Sequence, residues 1–268
     1  MTAWHSLYLL RPATDTLSQS IGAFLGDLGY QLYNPFGLMP ARPYRQTMRL
    51  FVAPPRAGWV RLVGEPDAAL LPPLSQIAPV VWLRLAGDEM GIDACADGTP
   101  ISAVDFAVRA QPSLRPEQVE ETLRRPMVVG KDADTAVAPV DPDTLTPGGA
   151  ALADKVDLRK AGKLFDQWGG KLIQRAGGDM QAAQALMQQP DAPNWSGSGG
   201  ARLRAYAELI GLPDGWAQPD FGTLRDAYHA AARRQRKPDL ALLPTDRQAL
   251  DAVPDALDHV PVFGGKDT

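Results

Sequence analysis

The chain has 268 residues, of which 45% are hydrophobic and 22% charged, and its formal net charge is −4. That length holds one large domain or two modest ones with a real hydrophobic core, and the composition excludes a disordered or fibrous chain. A lone Cys95 excludes an intramolecular disulfide framework and a cysteine-built zinc cage, and no apolar run approaches the ~20 residues needed to span a bilayer.

The first residues, MTAWHSLYLLRPATD, lack a basic start followed by an apolar block, so no signal peptide is read and the cytoplasm is the expected compartment. Residues 5–11 (HSLYLLR) read as a strand. Thr14-Asp15-Thr16 then opens an amphipathic helix with Leu17, Ile21, Phe24, Leu25 and Leu28 on one face, ending near Gly29. A proline-punctuated loop follows over residues 34–43. Strands are predicted at 46–53, 58–64 and 79–86, the first two joined by a connection of hairpin length. The segment DAALLPPLSQIA between the second and third has too much proline for one long helix. Met90–Ala94 and Ile101–Val108 suggest a further hairpin around Asp97-Gly98, a pair suited to positive φ.

After residue 110 the texture changes. Pro116–Arg125 reads as a short helix, and residues 130–149 as an acidic, Pro/Thr-rich linker without hydrophobic period. Helices are expected over Asp154–Trp168, from a cap at Asp179 through MQAAQALMQQ, over Gly200–Ile210 with a stop at Gly211, and from Thr223 to Arg236. The expected fold is therefore α+β: an N-terminal mixed or antiparallel sheet with one packed helix (1–110), a short helix and linker (111–150), a mainly helical region (151–250) and a loose tail (251–268).

The most unusual pattern is a repeated phrase, GWVRLVGE at residues 58–65 and VWLRLAGDE at 81–89. Strand side chains alternate between faces. In the first copy Val60 and Leu62 oppose Trp59 and Arg61; in the second Leu83 and Leu85 oppose Trp82 and Arg84; on the preceding strand Met48, Leu50 and Val52 oppose Arg49 and Phe51. If the copies align, an aliphatic face carrying Val60, Leu62, Leu83 and Leu85 packs on the Leu17–Leu28 helix. The other face then carries Trp59, Arg61, Trp82, Arg84 and Arg49, a candidate binding surface of residue types enriched at interface hot spots. Such a face could also stack nucleobases. However, residues 151–240 carry only 13 basic against 10 acidic side chains, and the rest of the chain is acidic, so nucleic acid is the lesser expectation and a protein partner the greater.

Motifs for catalysis fail one by one. Around Asn194–Gly200 the only Gly-x-Gly meets Arg202 where the dinucleotide fingerprint needs glycine, and no Gly-Lys pair is followed by Ser or Thr. Ser198 lacks the frame of a nucleophile elbow. Ser198, Gly199, Gly200 and Arg202 remain as a minor anion-binding candidate at a helix N-terminus. Asp88, Glu89, Asp93 and Asp97 match no calcium loop, and His5, His229 and His259 form no pair at ligand spacing, so no metal or cofactor is expected. The run Arg233–Lys237 ends a helix, where cations complement the dipole. The sequence thus favours a non-catalytic interaction protein. The alternatives are an enzyme whose site assembles from scattered Asp, Arg and His residues between the halves, and a weak single-stranded nucleic-acid binder.

Overall fold

The computed structural model describes residues 3–36, 44–124, 192–239 and 241–267. Residues 3–127 and 193–268 form one compact unit, and residues 1–2 with 128–192 a second; every element below belongs to the first. The expected linker at 130–149 and the helices expected over 154–168 and 179–189 lie outside the described residues.

Eight strands form a single antiparallel sheet, in the order β2-β8-β3-β4-β1-β5-β6-β7. They are β1 (Trp4–Leu10), β2 (Gln31–Tyr33), β3 (Gln46–Val52), β4 (Trp59–Gly64), β5 (Val80–Ala86), β6 (Glu89–Ala96), β7 (Thr99–Ile101) and β8 (Val260–Lys266). The helices are α1 (Leu17–Asp27), α2 (Leu71–Ser75), α3 (Ala103–Ala110), α4 (Pro116–Arg124), α5 (Ser198–Leu209), α6 (Phe221–Arg236) and α7 (Pro244–Ala252). An α+β fold is what the hydrophobic periods predict. Asp97 (φ 53°) and Gly98 (φ 77°) make the β6–β7 turn, because paired positive φ matches strand twist and glycine adopts it without penalty. After that turn the chain runs only three residues as strand. Ser102 then accepts from the Asp105 amide (3.0 Å) and starts α3, where a longer strand was expected.

Each face of the sheet carries a buried core. On the first face, Leu7, Leu9, Met48, Leu50, Val52, Val60, Leu62 and Val80 pack against Leu17, Ile21 and Leu25 of α1 and against Leu71 and Leu74 of α2. This is the helix and face that the period predicts. On the second face, Tyr8, Trp59, Val81, Leu83 and Leu85 pack under α3, α4 and α5. Further along, Phe51, Val63 and Phe263 pack under α6 and the chain that follows α7. The sheet therefore has helices on two sides, where one packed helix was expected. Residues 198–252 form much of the second helical layer and belong to the same unit as the sheet. The expected loose tail is a further correction: β8 pairs with β2 on one side and with β3 on the other. Its alternation was hidden by Pro261, Gly264 and Gly265.

The expected single aliphatic core is also corrected. Leu17, Ile21, Val60 and Leu62 share the first-face core, with Phe24 packed at its margin, whereas Leu83 and Leu85 lie in the second-face core. Leu83 is nonetheless fully buried. Leu83→Ala is expected to cost about 2–5 kcal/mol in chemical denaturation, the usual range for emptying a packed leucine site. A loss no larger than surface scatter would mean that α3 and α5 do not close over this strand.

Candidate functional site

The physical reason the Trp/Arg ladder does not form lies in β1. Strands β4 and β5 both pair with β1 rather than with each other, and Tyr8 stands opposite Arg61 on one side and Val81 on the other. Across β1, Trp82 stands level with Leu62 rather than with Trp59, so the two copies are offset by three residues, an odd number that turns every side chain of one copy to the opposite face. Trp59, Arg61 and Arg49 therefore occupy the second face, and Trp82 and Arg84 the first.

On the first face the Arg84 guanidinium lies 4.5 Å from the centre of the Trp82 ring and is ion-paired with Asp93. Trp82 also meets His5 edge-on at 6.4 Å. Arg49 makes a forked ion pair with Glu65 (2.6–2.9 Å) and lies 5.2 Å from the Phe221 ring. These arginines have acids within the fold. The minor anion candidate is answered in the same way: the Gly199 amide at the start of α5 donates to Asp88 Oδ1 at 2.7 Å, so the chain supplies its own carboxylate. A Cβ at Gly199 would overlap the Asp88 carbonyl, which explains the glycine. Arg202 donates to the carbonyls of Ser198 and Leu123. Among the described residues no group of His, Cys, Asp and Glu is placed to hold a metal ion, and no helix is long and apolar enough to cross a membrane.

Trp59 and Arg61 have a different fate. Helix α5 stops at Gly211 (φ 76°), and the chain then crosses the second face as LPDGWAQP. Four side chains from the sheet donate to carbonyls of residues 211–218. Trp59 Nε1 reaches Gly211 O (2.9 Å), Tyr8 Oη reaches Trp216 O (2.5 Å), and Trp4 Nε1 reaches Ala217 O (3.1 Å). Arg61 reaches Gln218 O through Nη1 (2.6 Å) and Ala217 O through Nη2 (3.3 Å), while its Nε donates to Ser6 Oγ (2.7 Å). Trp216 in turn packs edge-on against Trp4 and Tyr8. A segment without helix or ladder bonds needs donors for its carbonyls, and amphipathic side chains supply them without exposing apolar surface. Tyr8, Trp59 and Arg61 are thus buried by a segment 152 to 208 residues away in sequence, not displayed as a platform.

Between this crossing segment, the ends of β3 and β4, and the turn before β8 lies a cleft of about 670 Å³. Its lining includes Tyr8, Trp59, Arg61, Trp216, Asp255 and His259. Arg61 is only 9% exposed. Burial holds its pKa below the ordinary arginine value, opposed by Tyr8 and Asp220. Burial raises the Tyr8 phenol to about 12, so it stays protonated. The ring of His259, itself buried, places Nδ1 3.2 Å from the Asp255 carbonyl. A carbonyl only accepts, so the proton sits on Nδ1 and leaves Nε2 as the bare nitrogen. A second cleft of about 740 Å³, between α6, α7 and β3, is lined by Arg49, Arg225, Asp226, His229 and Asp246, whose charged members are ion-paired. The Arg61 cleft was not legible in the sequence: its residues come from β1, β4, the segment after α5 and the turn before β8, and no local spacing links them.

Burial holds His259 and His5 below their unfolded value of 6.5. Just below that value the unfolded chain binds protons that the folded chain does not, so stability is full above about pH 6.5 and declines as pH falls toward the folded values. Tm is expected to drop between about pH 7 and pH 5, and His259→Gln is expected to flatten that slope. A slope unchanged by the substitution would show that His259 titrates alike in both states.

No protein-family model, curated protein or solved structure matches the chain.

Proposed function

We propose that this is a non-catalytic binding protein whose recognition site is the cleft around Arg61. The observation that supports it is a buried cation opening onto an aromatic-walled cleft. The cleft's volume falls within the roughly 300–1,000 Å³ of small-molecule sites, where a largely apolar wall and a few convergent polar groups set orientation. This reading keeps the binding role favoured by the sequence but moves it off the Trp/Arg sheet face, because residues 211–218 cover Trp59 and Arg61. The test is a small-molecule library of matched size, with acidic, basic and neutral members, screened by thermal shift and native mass spectrometry. Saturable binding is expected for the protein and its loss for Ala53→Trp, which fills the cleft from the end of β3. Absence of any binder, or binders indifferent to Ala53→Trp, would overturn the reading.

A catalytic reading has one observation in its favour. His259 presents a neutral imidazole to the same cleft as Arg61, a base beside a charge that could steady a developing anion. Turnover of a bound compound, abolished by His259→Gln with its affinity retained, would replace the binding role by this one.

A further inference from the structure

We infer that the ligand of the Arg61 cleft is a monoanionic organic carboxylate with a flat apolar body, its carboxylate held by the Arg61 guanidinium. The inference rests on the binding role proposed for this cleft and adds the chemical class of what binds.

The Arg61 guanidinium carries five N–H bonds. Three of them go to Ser6 Oγ, Gln218 O and Ala217 O, all neutral acceptors. Two N–H bonds are left without a protein acceptor among the described residues, on a side chain that is nine-tenths buried and lines the cleft. Seven other arginines, all more exposed, are ion-paired: Arg49, Arg56, Arg84, Arg109, Arg124, Arg225 and Arg233. Arg61, the buried arginine among the described residues, has no described carboxylate at ion-pair distance. Asp220, whose charge acts on Arg61, is committed elsewhere: it caps α6, accepting from the Thr223 amide (3.0 Å) and the Thr223 hydroxyl (2.8 Å). A buried cation is costly unless paired, and a planar fork with two free N–H bonds matches a carboxylate.

Charge arithmetic separates a carboxylate from a phosphate dianion. Besides Arg61 the cleft is lined by Arg56, Asp214 and Asp255, with Arg56 and Asp255 paired at 3.1 Å. Two cations and two acids leave the empty cleft neutral. A monoanion adds one negative charge and a dianion two, against the standing charge of Asp214. The remaining wall selects the body: Trp59, Trp216, Val63, Pro54 and Pro219 present flat and apolar surface.

The experiment compares 2-naphthoate with its neutral isostere 2-naphthamide and with the dianion 2-naphthyl phosphate, using isothermal titration and ligand-observed NMR on the full chain. Naphthoate is expected to bind at least about tenfold more tightly than the amide and than the phosphate, and Ala53→Trp to abolish its binding. Arg61→Gln is expected to bring naphthoate down to the affinity of the amide. If that variant does not fold, the ligand pair on the unaltered protein still decides. Equal binding of acid and amide, both lost in Ala53→Trp, would overturn the carboxylate inference and leave the cleft as the site. Tighter binding of the phosphate, or binding confined to neutral or cationic library members, would do the same. Naphthoate binding that survives Ala53→Trp would overturn both.

Discussion

Trp59→Ala is expected to destabilise the protein by about 3–5 kcal/mol, the range for deleting a buried indole. The side chain is 4% exposed and stands between the sheet and the second helical layer, with its ring centre 6.2 Å from that of Phe106 in α3. Its Nε1 also holds the Gly211 carbonyl at 2.9 Å, where α5 gives way to the segment that roofs the Arg61 cleft. Trp59→Phe separates the two contributions, because it keeps most of the bulk and strands that carbonyl, at a cost of about 1–3 kcal/mol. Urea denaturation of both variants checks this. A full alanine penalty with an unaffected phenylalanine variant would assign the whole effect to packing. A penalty near zero for both would show that the sheet does not hold residues 211–218.

Phe51→Ala is expected to cost about 3–5 kcal/mol as well, for a different layer of contacts. Phe51 is fully buried, and its ring centre lies 5.3 Å from both Tyr228 and Phe263 and about 6 Å from Phe36 and Phe221. Those partners come from β8, from α6 and from the chain after β2, so a single ring ties three remote parts of the sequence together. Edge-to-face and tilted aromatic neighbours add to the area they bury, and removing the central ring leaves a cavity that the β3 backbone cannot move to fill. Guanidinium unfolding gives the magnitude, and proteolysis of the folded variant is expected to cut first in α6 or α7. A change within about ±0.5 kcal/mol would contradict the packing of α6 on this face.

Some of this was determined by the sequence alone. The alternation of Met48, Leu50 and Val52 against Arg49 and Phe51, and of Val60 and Leu62 against Trp59 and Arg61, places each side chain on the face where the structure has it. The spacing of Leu17, Ile21 and Leu25 identifies α1 and the face it covers. Gly211 ends α5 as expected. The helix stopped by Pro238 is α6, although its cap is Asp220 and it begins before Thr223. These are local facts, fixed by strand and helix geometry within a few residues.

Which faces coincide between strands is not local. Nothing in the two Trp-x-Arg-Leu phrases says that β1 lies between them, and an odd offset of three residues across it sends Trp82 and Arg84 to the side opposite Trp59 and Arg61. The tail shows the same limit: glycines and a proline read as loose chain, yet β8 is stabilised by ladders to β2 and β3 and by Tyr30 and Tyr44 beside Gly264 and Gly265. The cleft belongs wholly to tertiary structure. Arg61 meets two of its acceptors 156 and 157 residues along the chain, and His259 reaches the same space from the turn before the last strand. A side chain's face follows from backbone period, whereas its partner follows from which distant carbonyls and rings the folded chain must satisfy in the same space.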